Sequence, residues 1–271
     1  KRGSLTPEQD EIIWTPVPVK ENGISTTLVR GVVGSGKTIV LSKRADLLAE
    51  LRSDLNILVT AFNKDLAYDL KVRIHDSRIC VEQVFDLIRE ILGEKYPKAI
   101  EYRGKWDPKP NKFWCRDNQD LFLLPMDFIS QEISRRKDLE LHQDSQYRND
   151  LQKRDADLTD EEIDELCVAY SLYTEFQEEE KQAGKVWQDY EDTVKMALLE
   201  IHGHKYHRHF DIIMVDEGQD FSPNIFKLLR SMIKPGGYLF VCDDPMQSLW
   251  RQFDLRDKGM SKAPIKLLKL P

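Results

Sequence analysis

An α/β fold with a parallel sheet flanked by helices follows from how apolar runs, glycines and helical spacings alternate along the chain. Residues 26–30 form a short run rich in β-branched side chains, as strands are. The glycine-rich stretch Gly31-Val32-Val33-Gly34-Ser35-Gly36-Lys37-Thr38 follows at once. Ile39, Leu41, Ala45 and Leu48 then recur at helical spacing. Residues 56–60, 79–81, 212–215 and 238–242 supply further apolar strand-like runs, and helical patterns separate the early ones. Alternation of this kind predicts a parallel sheet covered on both faces.

The stretch 31–38 matches Gly-x-x-x-x-Gly-Lys-[Ser/Thr], a phosphate-binding loop. Gly34, Ser35 and Gly36 let the backbone wrap a phosphate with its N–H groups pointing inward. The following helix N-terminus adds unpaired donors and a positive dipole end. Lys37 is expected to reach the β- and γ-phosphates of a nucleotide, and the Thr38 hydroxyl to bind Mg²⁺.

The strand at 212–215 ends in Asp216-Glu217-Gly218-Gln219-Asp220, and that at 238–242 in Asp243-Asp244-Pro245-Met246-Gln247. Ligands of open parallel sheets sit at the carboxyl ends of strands, where all three polar clusters fall. An apolar strand closed by Asp-Glu suits ATP hydrolysis. Asp216 would hold Mg²⁺ opposite Thr38, Glu217 would orient and deprotonate the attacking water, and Gln247 would sense the γ-phosphate. A kinase fits less well, since it needs an acceptor site rather than a water-activating glutamate.

Upstream, Thr6 caps a helix that has Pro7 in its first turn. Gln9 either closes a capping box with Thr6 or reads an adenine edge, since an amide both donates and accepts. Helices are expected through Leu66, Leu70 and Ile74, and through Val84, Leu87, Ile88 and Ile91. From residue 93 to about 185 charges are dense and strand alternation is weak, which predicts a mainly helical insertion between 1–92 and 186–271. Its longest helix, 159–181, opens on a Thr159/Glu162 capping box and carries a stripe of Ile163, Leu166, Tyr170, Tyr173 and Phe176. Residues 143–157 read as a charged loop. Trp106, Lys109, Lys112, Trp114 and Arg116 interleave aromatic and basic groups, open to subdomain packing or to contact with nucleic acid. Residues 186–200 read as a helix, with Trp187, Tyr190, Val194 and Leu198 on one side. His202, His204, His207 and His209 read as a solvated connector, since the partners of a closed zinc site are not evident.

Composition excludes little else. The 271 residues carry a net charge of −7, against indiscriminate nucleic-acid binding through bulk charge but silent on a local basic groove. Four scattered cysteines show neither a zinc nor a redox spacing, and reduced thiols in a cytoplasmic protein are the expectation. No apolar run approaches a membrane span, and no signal peptide is read at the start.

Residues 31–38, 216–220 and 244–250 resemble motifs I, II and III of the UvrD/Rep-like superfamily 1 DNA helicases. Leu5-Thr6-Pro7-Glu8-Gln9 resembles their Q motif and residues 60–67 their motif Ia. The resemblance implies a RecA-like P-loop NTPase domain, 1A, interrupted by a helical subdomain, 1B, and ATP-driven movement along single-stranded DNA, usually 3′ to 5′ from a 3′ tail. It gives Gln9 to adenine, Lys37 to the phosphates, Thr38 and Asp216 to Mg²⁺, Glu217 to water activation and Gln247 to γ-phosphate coupling. Phe62 and Asn63 would lie near the DNA strand, and Trp250 would stack on a base. A monomer is expected.

Departures are visible. Gly218 stands where the family usually has alanine, Ile39 where many members have arginine, and Asp243 where motif III has glycine. The family continues with a second RecA-like domain whose arginines face the γ-phosphate. The 271 residues alone are therefore expected to bind ATP–Mg²⁺, hydrolyse it slowly and not unwind DNA. Three other readings stay open: the motor half of a helicase–nuclease, a non-motor P-loop nucleotide-binding regulator, and a helical interaction module with a degenerate ATPase in which residues 93–185 do the work.

Overall fold

A computed structural model describes residues 5–18, 23–96, 101–102, 105–106, 110–184, 188–203, 206–244, 246 and 253–270, with backbone alone for 101–102, 105–106 and 110–113. The chain divides into two compact units, one of residues 1–92 with 197–271 and one of residues 93–196.

The first unit begins with helix α1 (Pro7–Trp14), capped by Thr6 with Gln9 closing the box. Strand β1 (Ser25–Gly31) leads through the glycine loop into α2 (Lys37–Leu51). Strand β2 (Ile57–Ala61), α3 (Lys64–Arg73), β3 (Cys80–Gln83) and α4 (Val84–Leu92) follow. In the second unit a two-stranded antiparallel pair, β4 (Glu101–Tyr102) and β5 (Lys105–Trp106), precedes α5 (Pro110–Asp117), α6 (Met126–Asp138), α7 (Asp144–Lys153) and α8 (Asp160–Gln182). Helix α9 (Tyr190–His202) runs from one unit into the other. The first unit then resumes with β6 (Phe210–Val215), α10 (Pro223–Ser231), β7 (Ile233–Asp243) and β8 (Ile265–Leu268).

Six strands form one sheet in the order β3-β2-β6-β7-β1-β8, and every pairing is parallel. The edge strand β8 leaves Ile265 and Leu267 exposed, while the inner strands β2 and β6 are buried almost throughout, β2 without exception. That is the signature of a sheet with both faces covered, where alternation disappears. The order sets β6, β7 and β1 side by side, so the three polar clusters lie at neighbouring strand ends.

Helix α1 is pinned by a buried arginine. Arg44 on α2 donates from Nη1 to the carbonyls of Ile12 and Ile13, at 2.7 and 2.9 Å. Its guanidinium lies 5.2 Å from the ring centre of Phe240 and 5.8 Å from that of Tyr238. Arginine suits this place because a planar, weakly hydrated cation can stack and fork at once.

The structure departs from the expected elements in places. Residues 143–157 are not a loop, because α7 occupies most of them. Tyr147 and Leu151, four residues apart, bury one face of it in a core with Trp114, Ile129, Leu166 and Tyr173. Arg135 grips Asp150 through two bonds of 2.8 Å, so the charges taken for solvated loop hold the helix down. On α2 Leu41, Ala45 and Leu48 are buried together with Val40, whereas Ile39 is exposed. Helix α10 had a readable start in Ser222-Pro223, a capping residue followed by proline. Residues 185–187, with Trp187, lie outside the described residues.

Candidate nucleotide site

Gly34 and Gly36 both sit at positive φ, 81° and 85°, where glycine is at ease and other residues are strained. A Cβ on Gly36 would fall 2.4 Å from Gln9 Nε2, and one on Gly31 would fall 2.4 Å from Ser35 Oγ. The loop is therefore packed as well as bent. Gln9 does two jobs here. Its Oε1 accepts from Thr6 N at 3.0 Å, and its Nε2 donates to the Ser35 carbonyl at 2.9 Å. The capping box thus holds the amide that braces the phosphate loop.

Lys37 is buried, and its Nζ donates to the carbonyls of Gly31 and Val32 at 2.8 and 3.3 Å. Asp244 Oδ2 lies 3.8 Å from it. That oxygen is buried and takes no hydrogen bond from the described residues, as is also true of Ser35 Oγ. Beside the loop, Thr38 Oγ1 donates to Asp216 Oδ2 at 2.8 Å. Burial pushes the Asp216 carboxyl up to about 6, against the Thr38 hydroxyl, which lowers it.

The donor set fits a triphosphate with Mg²⁺. A hydroxyl and a carboxylate side by side are hard oxygen ligands of the kind Mg²⁺ takes. A nearby cation would favour the ionised form of the buried Asp216 carboxyl.

A cleft of 290 Å³ opens over these groups, lined by Val33, Gly34, Gly36, Lys37, Thr38, Ile39, Asp69, Arg73 and Glu217. Arg73, on α3, is paired with Asp69 at 2.5 Å. It brings a second cation to the cleft, where position 39 has isoleucine. Asp243, the departure from glycine, pairs with Arg30 through two contacts of 3.2 and 3.3 Å and so joins the ends of β1 and β7.

Glu217 has φ 50° and ψ 49°, left-handed backbone in a residue that is not glycine. Such a conformation costs about 1–2 kcal/mol and persists where its surroundings over-determine it. Here they do. Gly218 is wedged against β7, and an added Cβ would meet Val241 Cγ1 at 2.4 Å and the Cys242 carbonyl at 3.2 Å. Lys258 is buried and donates to the carbonyls of Gly218 and Gln219 at 3.0 and 3.2 Å. Desolvation brings its ammonium down to about 8, opposed by Asp243 and Asp220. Gly218→Ala is expected to destabilise the chain by about 1–3 kcal/mol, because a Cβ would force Val241 or the Cys242 carbonyl to shift in a close-packed core. Unfolding of the two proteins in urea checks this, and equal midpoints would contradict it.

Phe62 and Asn63 sit at the end of β2, next to β6 in the sheet. The Phe62 ring packs edge-on against Phe85 and Phe221, with centres 5.3 and 6.0 Å apart. Asn63 is exposed and caps α3, accepting from Leu66 N at 2.7 Å. Gln247 and Trp250 lie outside the described residues, as does His204. Among the described residues no group of three potential ligands could hold a metal ion by side chains alone. Gln219, Lys258, Arg44 and Arg73 escaped the sequence reading. Gln219 was visible as part of a strand-end cluster, but nothing in its spacing announced a partner.

A family model described as UvrD/REP helicase N-terminal domain matches residues 18–254. The chain belongs to this family. The match takes in the glycine loop and both strand-end clusters, and it makes the chain the motor half of a UvrD/Rep-type helicase, for which DNA is the implied substrate. No curated protein matches the chain. Among the described residues no helix of this helicase domain is long and apolar enough to cross a membrane.

Proposed function

We propose that this helicase domain binds and hydrolyses Mg²⁺·ATP and uses it to move along single-stranded DNA. One observation carries the reading. Lys37, Thr38 and Glu217 line a single cleft at the ends of β1 and β6, with Asp216 bonded to Thr38. In this reading Gly34, Ser35 and Gly36 present backbone N–H groups to the phosphates. Lys37 exchanges two backbone carbonyls for the β- and γ-phosphates. Thr38 and Asp216 hold Mg²⁺, which when bound would neutralise charge on the phosphates. Glu217 accepts the proton of the attacking water, and Gln247 senses the γ-phosphate.

Gln9 retains a second N–H and a second lone pair for the adenine edge, because an amide offers two of each. The first unit is read as domain 1A and the second as the inserted subdomain 1B. Phe62, Asn63 and Trp250 are the DNA-facing residues, with Phe62 steadied by its aromatic neighbours.

Trp250→Ala tests the DNA half of the proposal. Loss of one stacked base should weaken single-stranded DNA binding by about 1–3 kcal/mol, with ATP affinity unchanged. Fluorescence anisotropy with a labelled oligonucleotide measures it, and equal affinity would remove Trp250 from the DNA track.

A further inference from the structure

The residue that faces Glu217 has no role in the reading above. Gln219 is buried, and its amide spans two elements. Nε2 donates to Glu217 Oε2 at 2.5 Å, and Oε1 accepts from Asp244 N at 2.9 Å. The orientation is fixed by chemistry. A backbone N–H can only donate, so the amide oxygen must face Asp244, and the NH₂ is left for the carboxylate, which can only accept when ionised.

We propose that Gln219 is a positioning residue for hydrolysis: its amide clamps one oxygen of Glu217, ties it to the end of β7, and leaves the other oxygen for water. The proposal rests on Glu217 as the base. Three observations converge on it. Glu217 Oε1 takes no hydrogen bond from the described residues, while Oε2 is held. The Glu217 backbone is held in the left-handed region by its surroundings, so the carboxylate starts from a fixed stem that Gln219 can aim. The backbone of the same turn is anchored separately by Lys258, which leaves the Gln219 side chain the task of aiming the carboxylate rather than of holding the turn.

The link to Asp244 has a further reach. Asp244 Oδ2 is the buried oxygen 3.8 Å from Lys37 Nζ, and its Oδ1 accepts from Met246 N at 3.0 Å. Through Gln219 the carboxylate of Glu217 is thus tied to a backbone segment that also faces the phosphate-loop lysine. A shift at the end of β7 would move the base.

The test uses the intact helicase. Gln219→Met keeps the length of the side chain and removes both bonds. Its kcat for ATP is expected to fall about 10–100-fold, part of the contribution of a positioned base. Its equilibrium affinity for a fluorescent ATP analogue with Mg²⁺ is expected to stay within about twofold, since the bond acts on chemistry and not on binding. Gln219→Glu keeps the acceptor for Asp244 N but sets a like charge against Glu217. It is expected to be at least as slow as the methionine variant, and it supplies the answer if that variant fails to fold.

Wild-type kcat in either variant overturns the proposal. So does a loss of nucleotide affinity matching the loss of kcat, which is what a packing role would give. Glu217→Gln run in parallel separates the two claims. If it keeps full turnover, the base and its clamp fall together. If it loses turnover while Gln219→Met does not, only the clamp falls.

Discussion

Glu217→Gln lowers ATP turnover by about 10²–10⁴-fold, the range a positioned general base contributes, and leaves ATP binding in place. The exchange keeps the size and shape of the side chain. It removes only the capacity to take a proton from water at neutral pH. Nothing in the loop depends on the lost charge. Gly31, Val32 and Ser35 are held through Lys37 and Gln9, and Asp216 keeps its bond from Thr38. Single-turnover hydrolysis in the intact helicase, set beside equilibrium binding of a fluorescent ATP analogue, measures both halves. Unchanged turnover would remove Glu217 as the base. Loss of binding in step with turnover would make it a ligand for the nucleotide instead.

Lys137→Met is expected to destabilise the second unit by about 3–5 kcal/mol, the range found when one partner of a buried ion pair is removed. Lys137 Nζ donates to Asp189 Oδ2 at 2.7 Å, to Asp192 Oδ2 at 2.5 Å and to Gln177 Oε1 at 3.0 Å. Its ammonium also lies 5.6 Å from the centre of the Tyr173 ring. Burial works against the charge, but Asp189 and Asp192 together hold the amine above the usual lysine range. Methionine fills the space but takes the ammonium away from Asp189, 1% exposed, whose Oδ1 still accepts from the Tyr173 hydroxyl at 2.7 Å.

The reverse design sharpens this test. Lys137→Met combined with Asp189→Asn should recover part of the loss, since residues in one network do not add. Urea unfolding of the whole chain, followed by far-ultraviolet circular dichroism, measures both. A shift of under about 1 kcal/mol for the single variant would mean that the pair behaves like an exposed one.

The parts legible in the sequence are those where chemistry is local. The glycine loop needs positive φ at named positions, and Gly34 and Gly36 supply it. The α8 capping box needs Thr159 and Glu162 three residues apart, and the two bonds are there. Strand ends could be ranked because apolar runs stop at acidic clusters. What stayed hidden was set by distant partners. The charges on α7 look solvated until Arg135 is placed beside Asp150. Lys258 lies some 40 positions from the turn it holds, and no periodicity announces such a reach. Gly218 reads as a mild exchange for alanine, and only the nearness of Val241 shows that the position has no room. Gln219 carries no spacing signal, because its partners are one residue on its own turn and one just past the end of β7.

Arg44 grips the last carbonyls of α1 while Gln9, near the start of the same helix, grips Ser35. The first helix is therefore a lever with its heel bolted to α2 and its toe resting on the loop. A displacement of Thr6 would reach Ser35 through the Gln9 amide, so a label next to this cap is not a neutral attachment point for the loop.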